Sequence, residues 1–420
     1  MPLTRGQKRA LIGLSEPVLR VLFGAYRLAS GDLGRDLQAS PSRILVLRLD
    51  SMGDVLLSEP AIAALRRRFP SARLDVAVGG AGRVALEGHP AVDNLIVYEA
   101  PWHAAWRSQP VSWRQEIGPL LKALSRLRRE RYDLVIELRG DFRDILYAAA
   151  CRARATAGSG ERGGGTLLTW DVPMAPGAHH LEKAFAIAEA CGARGPIEAP
   201  RLYLSDAERA VARQVLPQGR ARIMPSPDRE SPNHQPPNHQ SLNDESPNDP
   251  YVAFHLGAGF PSKCLPMDRF AAAAGALASR GAGIVLVGGP EDAPRSAEMQ
   301  AGLAVPATDL AGRLSVKETA AVLERCVLFV GNDSGPMHLA AAVGTPVVAA
   351  FGPSDAGTYH PWGVPHRILQ LDLPCRPCDF VNCSQGENIC MGGIRSEDLV
   401  EACLEMLDSS LSPSRVGAGG

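Results

Sequence analysis

At 420 residues the chain is too long for one ordinary hydrophobic core, and two domains are its natural division. Its 44 basic and 45 acidic residues leave a formal charge of -1, which excludes an overall electrostatic pull toward nucleic acid. Nine cysteines in a chain of this length are not a disulfide scaffold, and 5% aromatics beside abundant Ala, Val and Leu suit α/β layers.

The first 40 residues precede any strand. Leu11 to Leu28 is interrupted by Glu16, Pro17, Arg20 and Arg27, so it is a poor membrane span. No cleavable signal is evident, and the cytoplasm is the expected compartment. Ser15 and Pro17 suit the start of a helix, with Val18, Leu19, Leu22, Ala25, Tyr26 and Ala29 on one side. Arg5, Lys8, Arg9, Arg20 and Arg27 make this segment basic. It fits either peripheral contact with the anionic inner face of the cytoplasmic membrane or packing on the protein's own core.

The first α/β unit opens with a strand at Ile44 to Leu49 and a loop, Asp50-Ser51-Met52-Gly53-Asp54. A helix is predicted to start or restart at Ser58-Glu59-Pro60 and to reach Phe69, followed by a strand at Leu74 to Val78. The loop has one glycine and no GxGxxG, which argues against a simple nicotinamide or flavin dinucleotide site. Asp54 lies at the strand's carboxyl end, where it suits a general base or a helix cap. A short strand at Asn94 to Tyr98 follows, then a helix over Ser112 to Arg131. A strand at Asp133 to Leu138 delivers Arg139-Gly140-Asp141-Phe142-Arg143-Asp144 to the same sheet end. Arg139 and Arg143 suit an anionic acceptor or local pairs with Asp141 and Asp144. Gly158 to Gly165 reads as a glycine-rich loop with no strand before it. A helix over His180 to Ala190 comes next, with a short strand and an amphipathic helix within residues 200–217.

From Pro225 to Pro250 the composition shifts to a polar segment containing the repeat Pro-Asn-His-Gln at 232–235 and 237–240. It carries too little apolar surface to fold and reads as a disordered linker; His234 and His239 belong to it. The second α/β unit begins with a strand at Tyr251 to Leu256 and a turn ending at Lys263, a cation suited to a phosphate. After a helix over Asp268 to Ser279 and a strand from Gly283, Glu291 stands where an acid can accept from ribose hydroxyls. A short apolar run, Val327 to Val330, then leads into Asp333-Ser334-Gly335-Pro336-Met337-His338 and an Ala-rich helix stopped by Gly344. Backbone N–H groups at such a helix start attract a diphosphate, and Gly335 permits close approach. Cys375, Cys378, Cys383 and Cys390 fit a tetrahedral zinc site, or reduced or occasionally disulfide-linked cysteines. Glu397 to Leu411 reads as the last helix.

Four separated stretches resemble glycosyltransferase family 9, the heptosyltransferases of lipopolysaccharide core assembly. They are Arg48 to Leu57, Tyr132 to Gly140, Gly257-Ala258 with Lys263 to Pro266, and the motif from Asp333 through Pro346 with Phe351 to Ser354. The family usually has Trp where Leu265 stands. The resemblance implies two Rossmann-like α/β domains facing a cleft, the GT-B arrangement, and inverting, metal-independent transfer of heptose from ADP-heptose to a lipid-linked glycan. By motif, Asp54 matches the catalytic base. Gly53, Lys263, Glu291, Asp333, Ser334, Gly335, Met337 and His338 match donor contacts, and Arg139 and Arg143 are candidates for the acceptor. No metal or other cofactor is implied. The implied domains are an extension at 1–40, an acceptor domain at 41–224, the linker at 225–250, a donor domain at 251–408 and a tail at 409–420. A sugar-nucleotide epimerase and a non-catalytic glycan- or nucleotide-binding protein are the alternative readings.

Overall fold

The computed structural model describes residues 40–106, 113–216, 250–378, 383 and 388–411. The basic extension through residue 39, the linker through residue 249 with His234 and His239, and the tail beyond Leu411 lie outside the described residues. Two compact units form. The first runs to Tyr203 and takes in Gly357–Trp362; the second starts at Leu204 and contains the rest.

In the first unit the strands are β1 (Arg43–Arg48), β2 (Arg73–Val78), β3 (Asn94–Val97), β4 (Leu134–Glu137), β5 (Ala155–Gly158) and β6 (Trp170–Asp171). The main helices are α1 (Met52–Arg68), α2 (Trp113–Glu130), α3 (Phe142–Ala150) and α4 (His180–Ala190). All strand pairs are parallel, in the order β3-β2-β1-β4-β5-β6. Ile44, Leu45, Val46 and Leu47 are all fully buried, so both faces of β1 are covered, as a parallel sheet requires. On one face Leu45, Leu47 and Val135 pack with Leu124 and Leu127 of α2 and Tyr147 and Ala148 of α3.

Two local expectations differ here. Helix α1 begins at Met52 and carries Pro60 inside it, with no restart at Ser58. Ser51 is its N-cap and accepts from Asp54 N–H, so the loop itself starts the helix. The glycine-rich stretch does follow a strand, because β5 leads directly into it. That strand, Ala-Thr-Ala-Gly, is made of small residues that give a weak strand signal, yet all four are buried.

The second unit contains α5 (Asp206–Val215), β7 (Tyr251–His255), α6 (Met267–Ala278), β8 (Gly283–Leu286), α7 (Ala293–Gly302) and β9 (Ala307–Asp309). It continues with α8 (Val316–Glu324), β10 (Leu328–Asn332), α9 (Gly335–Ala342), β11 (Val347–Phe351), β12 (His366–Gln370) and α10 (Ser396–Leu411). Residues 201–205 do not form the short strand expected before α5. Helix α5 joins this unit, where Arg209 pairs with Glu324 at 2.9 Å. The sheet order is β12-β11-β10-β7-β8-β9, again parallel. Phe254 and Phe270 meet edge-on in its core, ring centroids 6.4 Å apart, and each contributes about 1.5–3 kcal/mol by burial.

Counted from its own first strand, each sheet reads 3-2-1-4-5-6, the Rossmann order. Strand order reverses between β1 and β4, and again between β7 and β10. In such sheets ligands bind at the carboxyl ends of the strands flanking the switch.

Candidate active site

At the first switch point, β1 ends in Arg48, whose side chain is only 1% exposed. A buried guanidinium needs acceptors on every side. Its Nη1 donates to Leu138 O at 2.7 Å and its Nε to Asp54 O at 3.2 Å. Its Nη2 lies 3.3 Å from Asp54 Oδ1, and its Nε 3.1 Å from Asp50 Oδ1. Ser51 Oγ donates to Asp54 Oδ2 at 2.7 Å. Asp54 thus stands in the first turn of α1, and Ser51 rather than Asp54 caps the helix. Burial alone would raise the Asp54 carboxyl, but Arg48, His180 and the Ser51 hydroxyl hold it down to about 2. Asp50 goes the other way: burial pushes it up to about 6 against the pull of Arg48.

Strand β4 supplies the opposite wall of the same site. Arg139 Nη1 reaches Asp50 Oδ2 at 3.4 Å and His103 Nδ1 at 3.0 Å. Arginine only donates, so His103 Nδ1 accepts and its Nε2–H faces Asp144, at 2.9 Å. Trp102 Nε1 donates to the same carboxylate at 2.7 Å. Glu137 accepts from Arg139 N–H at 2.8 Å and from Gly140 N–H at 2.7 Å, a turn that Gly140 permits with φ of 72°. Burial and the charge of Asp144 push the Glu137 carboxyl up to about 8, so it is mostly protonated at neutral pH. Arg143 pairs with Asp141 at 2.8 Å and donates to Trp102 O at 2.9 Å. The local pair foreseen for Arg143 is therefore present; Arg139 pairs instead with Asp50 and His103.

His180 opens α4 beside Asp54, and burial pushes its imidazole down to about 3, leaving it uncharged at neutral pH. Its ring stacks on Tyr359, centroids 4.3 Å apart, and His179 Nε2 donates to His360 O at 3.0 Å. The segment Gly357–Trp362 is thereby fixed to the start of α4.

At the second switch point, β7 leads to Lys263 and β10 to Asp333 and Ser334. Lys263 Nζ lies 2.6 Å from Asp333 Oδ2, an oxygen that also accepts from Ser354 Oγ. Asn332 is fully buried and latches the two loops together: its Nδ2 donates to Leu256 O and Gly257 O, both at 3.0 Å, and its Oδ1 accepts from Leu265 N–H at 3.0 Å. Ser334 is the N-cap of α9, but its side chain makes no cap bond. Gly335 and Met337 N–H have no partner within the helix, and Pro336 between them has no N–H. The Met337 side chain is fully buried and His338 is nearly so, which places them in the packing of α9. Leu265 is fully buried in the core. Glu291 lies in the single turn Pro290–Asp292 after β8. Its neighbour Asp292 is the carboxylate that reaches His255, at 3.2 Å.

Residues 120–388 match the model of glycosyltransferase family 9, the heptosyltransferases. The chain belongs to this family. Lipopolysaccharide heptosyltransferase 3 of Escherichia coli K12 is 27% identical over 318 residues, covering 74% of this chain and 82% of that protein. Lipopolysaccharide heptosyltransferase 2 of the same strain is 28% identical, covering 78% of this chain and 88% of the relative. A family 9 structure from Veillonella parvula shares the fold with a TM-score of 0.70 at 21% identity, over 88% of this chain and 98% of that one. E. coli ADP-heptose heptosyltransferase II does so with a TM-score of 0.64 at 23% identity, over 88% and 100% of the two chains. The protein is a glycosyltransferase with two Rossmann-like domains of the GT-B class.

In this family 9 member, Cys378 and Cys383 lie near enough to Cys390 to add to the upward push that burial gives its thiol. Among the described residues no group of three or more His, Cys, Asp or Glu side chains could hold a metal ion. Among those residues no helix is long and apolar enough to cross a membrane. Arg48, Asp50, His103, Asn332, His255 and Asp292 were not singled out from the sequence, and Asp144 was named only as a local partner for Arg139 or Arg143. For Asp50 a signal existed, since it follows β1 by two residues; the others join through contacts between distant parts of the chain.

Proposed function

We propose that the enzyme transfers heptose from ADP-heptose, with inversion and without a metal in the chemistry, to a lipid-linked glycan of the lipopolysaccharide core. The observation that carries this reading is the Lys263–Asp333 pair beside the open N-terminus of α9. A fixed cation and free backbone N–H groups are what a departing nucleoside diphosphate requires. Two E. coli heptosyltransferase structures hold ADP and ADP-2-deoxy-2-fluoro heptose, which supports the same donor here.

Transfer also needs a base for the acceptor hydroxyl. Asp54 takes that role: it is ionised at neutral pH and its side chain is 20% exposed. The acceptor proton moves to Asp54 as the acceptor oxygen bonds to the anomeric carbon and the bond to the diphosphate breaks. Negative charge then collects on the diphosphate, against Lys263 and the start of α9. Gly53, beside Asp54 in the first turn of α1, is assigned a donor contact. Glu291 binds the ribose, and Arg139 with Arg143 draws in an anionic acceptor. The acceptor's lipid places the enzyme at the inner face of the cytoplasmic membrane.

Calorimetric titration with ADP, UDP and GDP, first without metal and then with Mg²⁺, tests the donor. Metal-independent binding of ADP alone is the expected result. Preference for UDP or GDP would replace heptose as the donor sugar, and binding that requires Mg²⁺ would overturn the metal-independent mechanism.

A further inference from the structure

The two arginines that follow β4 are not equivalent. Arg143 uses every nitrogen of its guanidinium. Its Nε and Nη2 donate to Asp141 Oδ1 and Oδ2, both at 2.8 Å, and its Nη1 donates to Trp102 O at 2.9 Å. No fork is left for a ligand, and the contact instead fixes the turn Pro101–Trp106. Arg139 is held by one nitrogen alone. Its Nη1 donates to His103 Nδ1 at 3.0 Å and lies 3.4 Å from Asp50 Oδ2. Its Nε and Nη2 meet no partner among the described residues, and neither atom is sealed from solvent. These two nitrogens share one edge of the guanidinium plane, the edge that matches two oxygens of a carboxylate or a phosphate.

A solvated arginine needs no support, yet a buried relay stands behind this one. Asp144 has a side chain only 1% exposed and accepts from Trp102 Nε1 at 2.7 Å and from His103 Nε2 at 2.9 Å. The His103 side chain is 9% exposed. Between a carboxylate and a guanidinium its ring satisfies both neighbours in one arrangement, with the hydrogen on Nε2 and the lone pair of Nδ1 facing Arg139. Trp102 is fixed in turn, by Arg143 at its carbonyl and by Tyr147 against its ring, centroids 5.8 Å apart. The open edge of Arg139 also lies beside Asp54. Asp50 Oδ1 is 3.1 Å from Arg48 Nε, and Arg48 Nη2 is 3.3 Å from Asp54 Oδ1, so a continuous chain of charges links the two.

We infer that Arg139, rather than Arg143, grips one oxyanion of the acceptor, a carboxylate or a phosphate, through its Nε–Nη2 edge, and that His103 is the positioning residue that sets this edge in place. This rests on the reading that the acceptor is an anionic glycan whose hydroxyl is activated by Asp54. The oxyanion then sits close to the accepting hydroxyl and holds it in register with the base. Arg143 takes part through the turn that carries His103.

The test is steady-state transfer from ADP-heptose by the full chain. The acceptor is deacylated lipopolysaccharide inner-core oligosaccharide lacking the transferred heptose, used untreated, carboxyl-reduced and dephosphorylated. One of the two treatments should raise the wild-type acceptor KM about ten- to hundredfold, the size of a lost charge-assisted hydrogen-bond pair, with little change in kcat. Loss on carboxyl reduction assigns a sugar acid, and loss on dephosphorylation assigns a phosphate. Arg139→Lys keeps the charge without the fork. It should raise the KM for the untreated acceptor by the same factor and lose little more when the group is removed. His103→Gln retains a donor near Asp144 but offers Arg139 no acceptor, and should raise the acceptor KM about tenfold with unchanged ADP affinity. His103→Asn places an oxygen where Nδ1 stood and should restore most of that loss. In the Arg139→Lys background His103→Gln should add nothing. Equal KM for all three acceptor forms would overturn the inference and leave transfer itself intact, a result that needs no variant to fold. Equal damage from His103→Gln and His103→Asn, or full additivity with Arg139→Lys, would reduce His103 to a packing role and overturn its part. No transfer by wild type to any form would overturn the functional reading as well.

Discussion

Asp54→Asn separates the base from its surroundings with the least change of shape. The amide keeps a carbonyl oxygen for the Ser51 hydroxyl but no longer offers Arg48 a charge. The Asp54 carboxyl is held at about 2 against an ordinary 3.8, with its side chain 20% exposed, so the ionised form contributes about 2 kcal/mol to the folded state. The sign follows from the depressed value. The contribution is complete above pH 3.8, is lost as pH falls to about 2, and is therefore fully missing from the variant at pH 7. Thermal unfolding should show a lower midpoint for the variant at pH 7 and a smaller gap at pH 3. Turnover on ADP-heptose and acceptor should drop by about 10²–10⁴, the usual contribution of a general base. ADP affinity should stay unchanged, because no donor contact is assigned to this side chain. Near-normal kcat would refute the base role. A loss of ADP binding equal to the loss of turnover would show that the substitution acts through the fold.

Lys263→Ala removes the cation from the proposed donor site and leaves Asp333, whose side chain is 6% exposed, without its partner. ADP should bind roughly ten- to hundredfold more weakly, the equivalent of about 1.5–3 kcal/mol for a hydrogen bond to a charged group, and unchanged calorimetric affinity would remove Lys263 from the site. Asp50 carries the opposite sign to Asp54. Its carboxyl is raised from 3.8 to about 6, so its ionisation costs the folded state about 3 kcal/mol once pH exceeds 6 and nothing below 3.8. Asp50→Asn should therefore raise the unfolding midpoint at pH 8 and leave it unchanged at pH 4. A gain of equal size at both values would show that desolvation of this acid is not the cause.

The strands legible in the sequence were those whose apolar runs are uninterrupted, such as Ile44 to Leu47 and Leu328 to Val330, because a parallel strand buried on both faces has no other pattern. The positions of the residues proposed for the donor were legible for a related reason. Lys263, Asp333, Ser334 and Gly335 sit on short turns directly after strands, so sequence position almost fixes their place at the sheet's carboxyl edge. Strand β5 was missed because Ala155-Thr156-Ala157-Gly158 is held by its neighbours rather than by its own propensity. The buried network was illegible for a different reason. Arg48 meets Leu138 O across 90 residues and His255 meets Asp292 across 37, and only the topology brings them together. Likewise, nothing in the composition of Gly357–Trp362 announces that it joins the first unit, where Tyr359 stacks on His180.

In the proposed mechanism the acidity of Asp54 constrains the reaction. A carboxylate held at about 2 is a weak base toward a ground-state hydroxyl, and its pairing with Arg48 is the reason. Such a base is effective only if the acceptor hydroxyl becomes acidic during the reaction, as it does when its oxygen begins to bond to an electron-poor anomeric carbon. A late proton transfer therefore belongs with early departure of the diphosphate, the oxocarbenium-like course of glycosyl chemistry. Asp50 adjusts this balance. Arg48 lies between the two carboxylates, and Arg139 also reaches Asp50, so an ionised Asp50 takes part of the guanidinium charge away from Asp54. In the proposed mechanism two acids pushed apart by their surroundings, one down to about 2 and the other up to about 6, would divide the work: Asp54 stays ionised to take the proton, and Asp50 shares the Arg48 guanidinium with it.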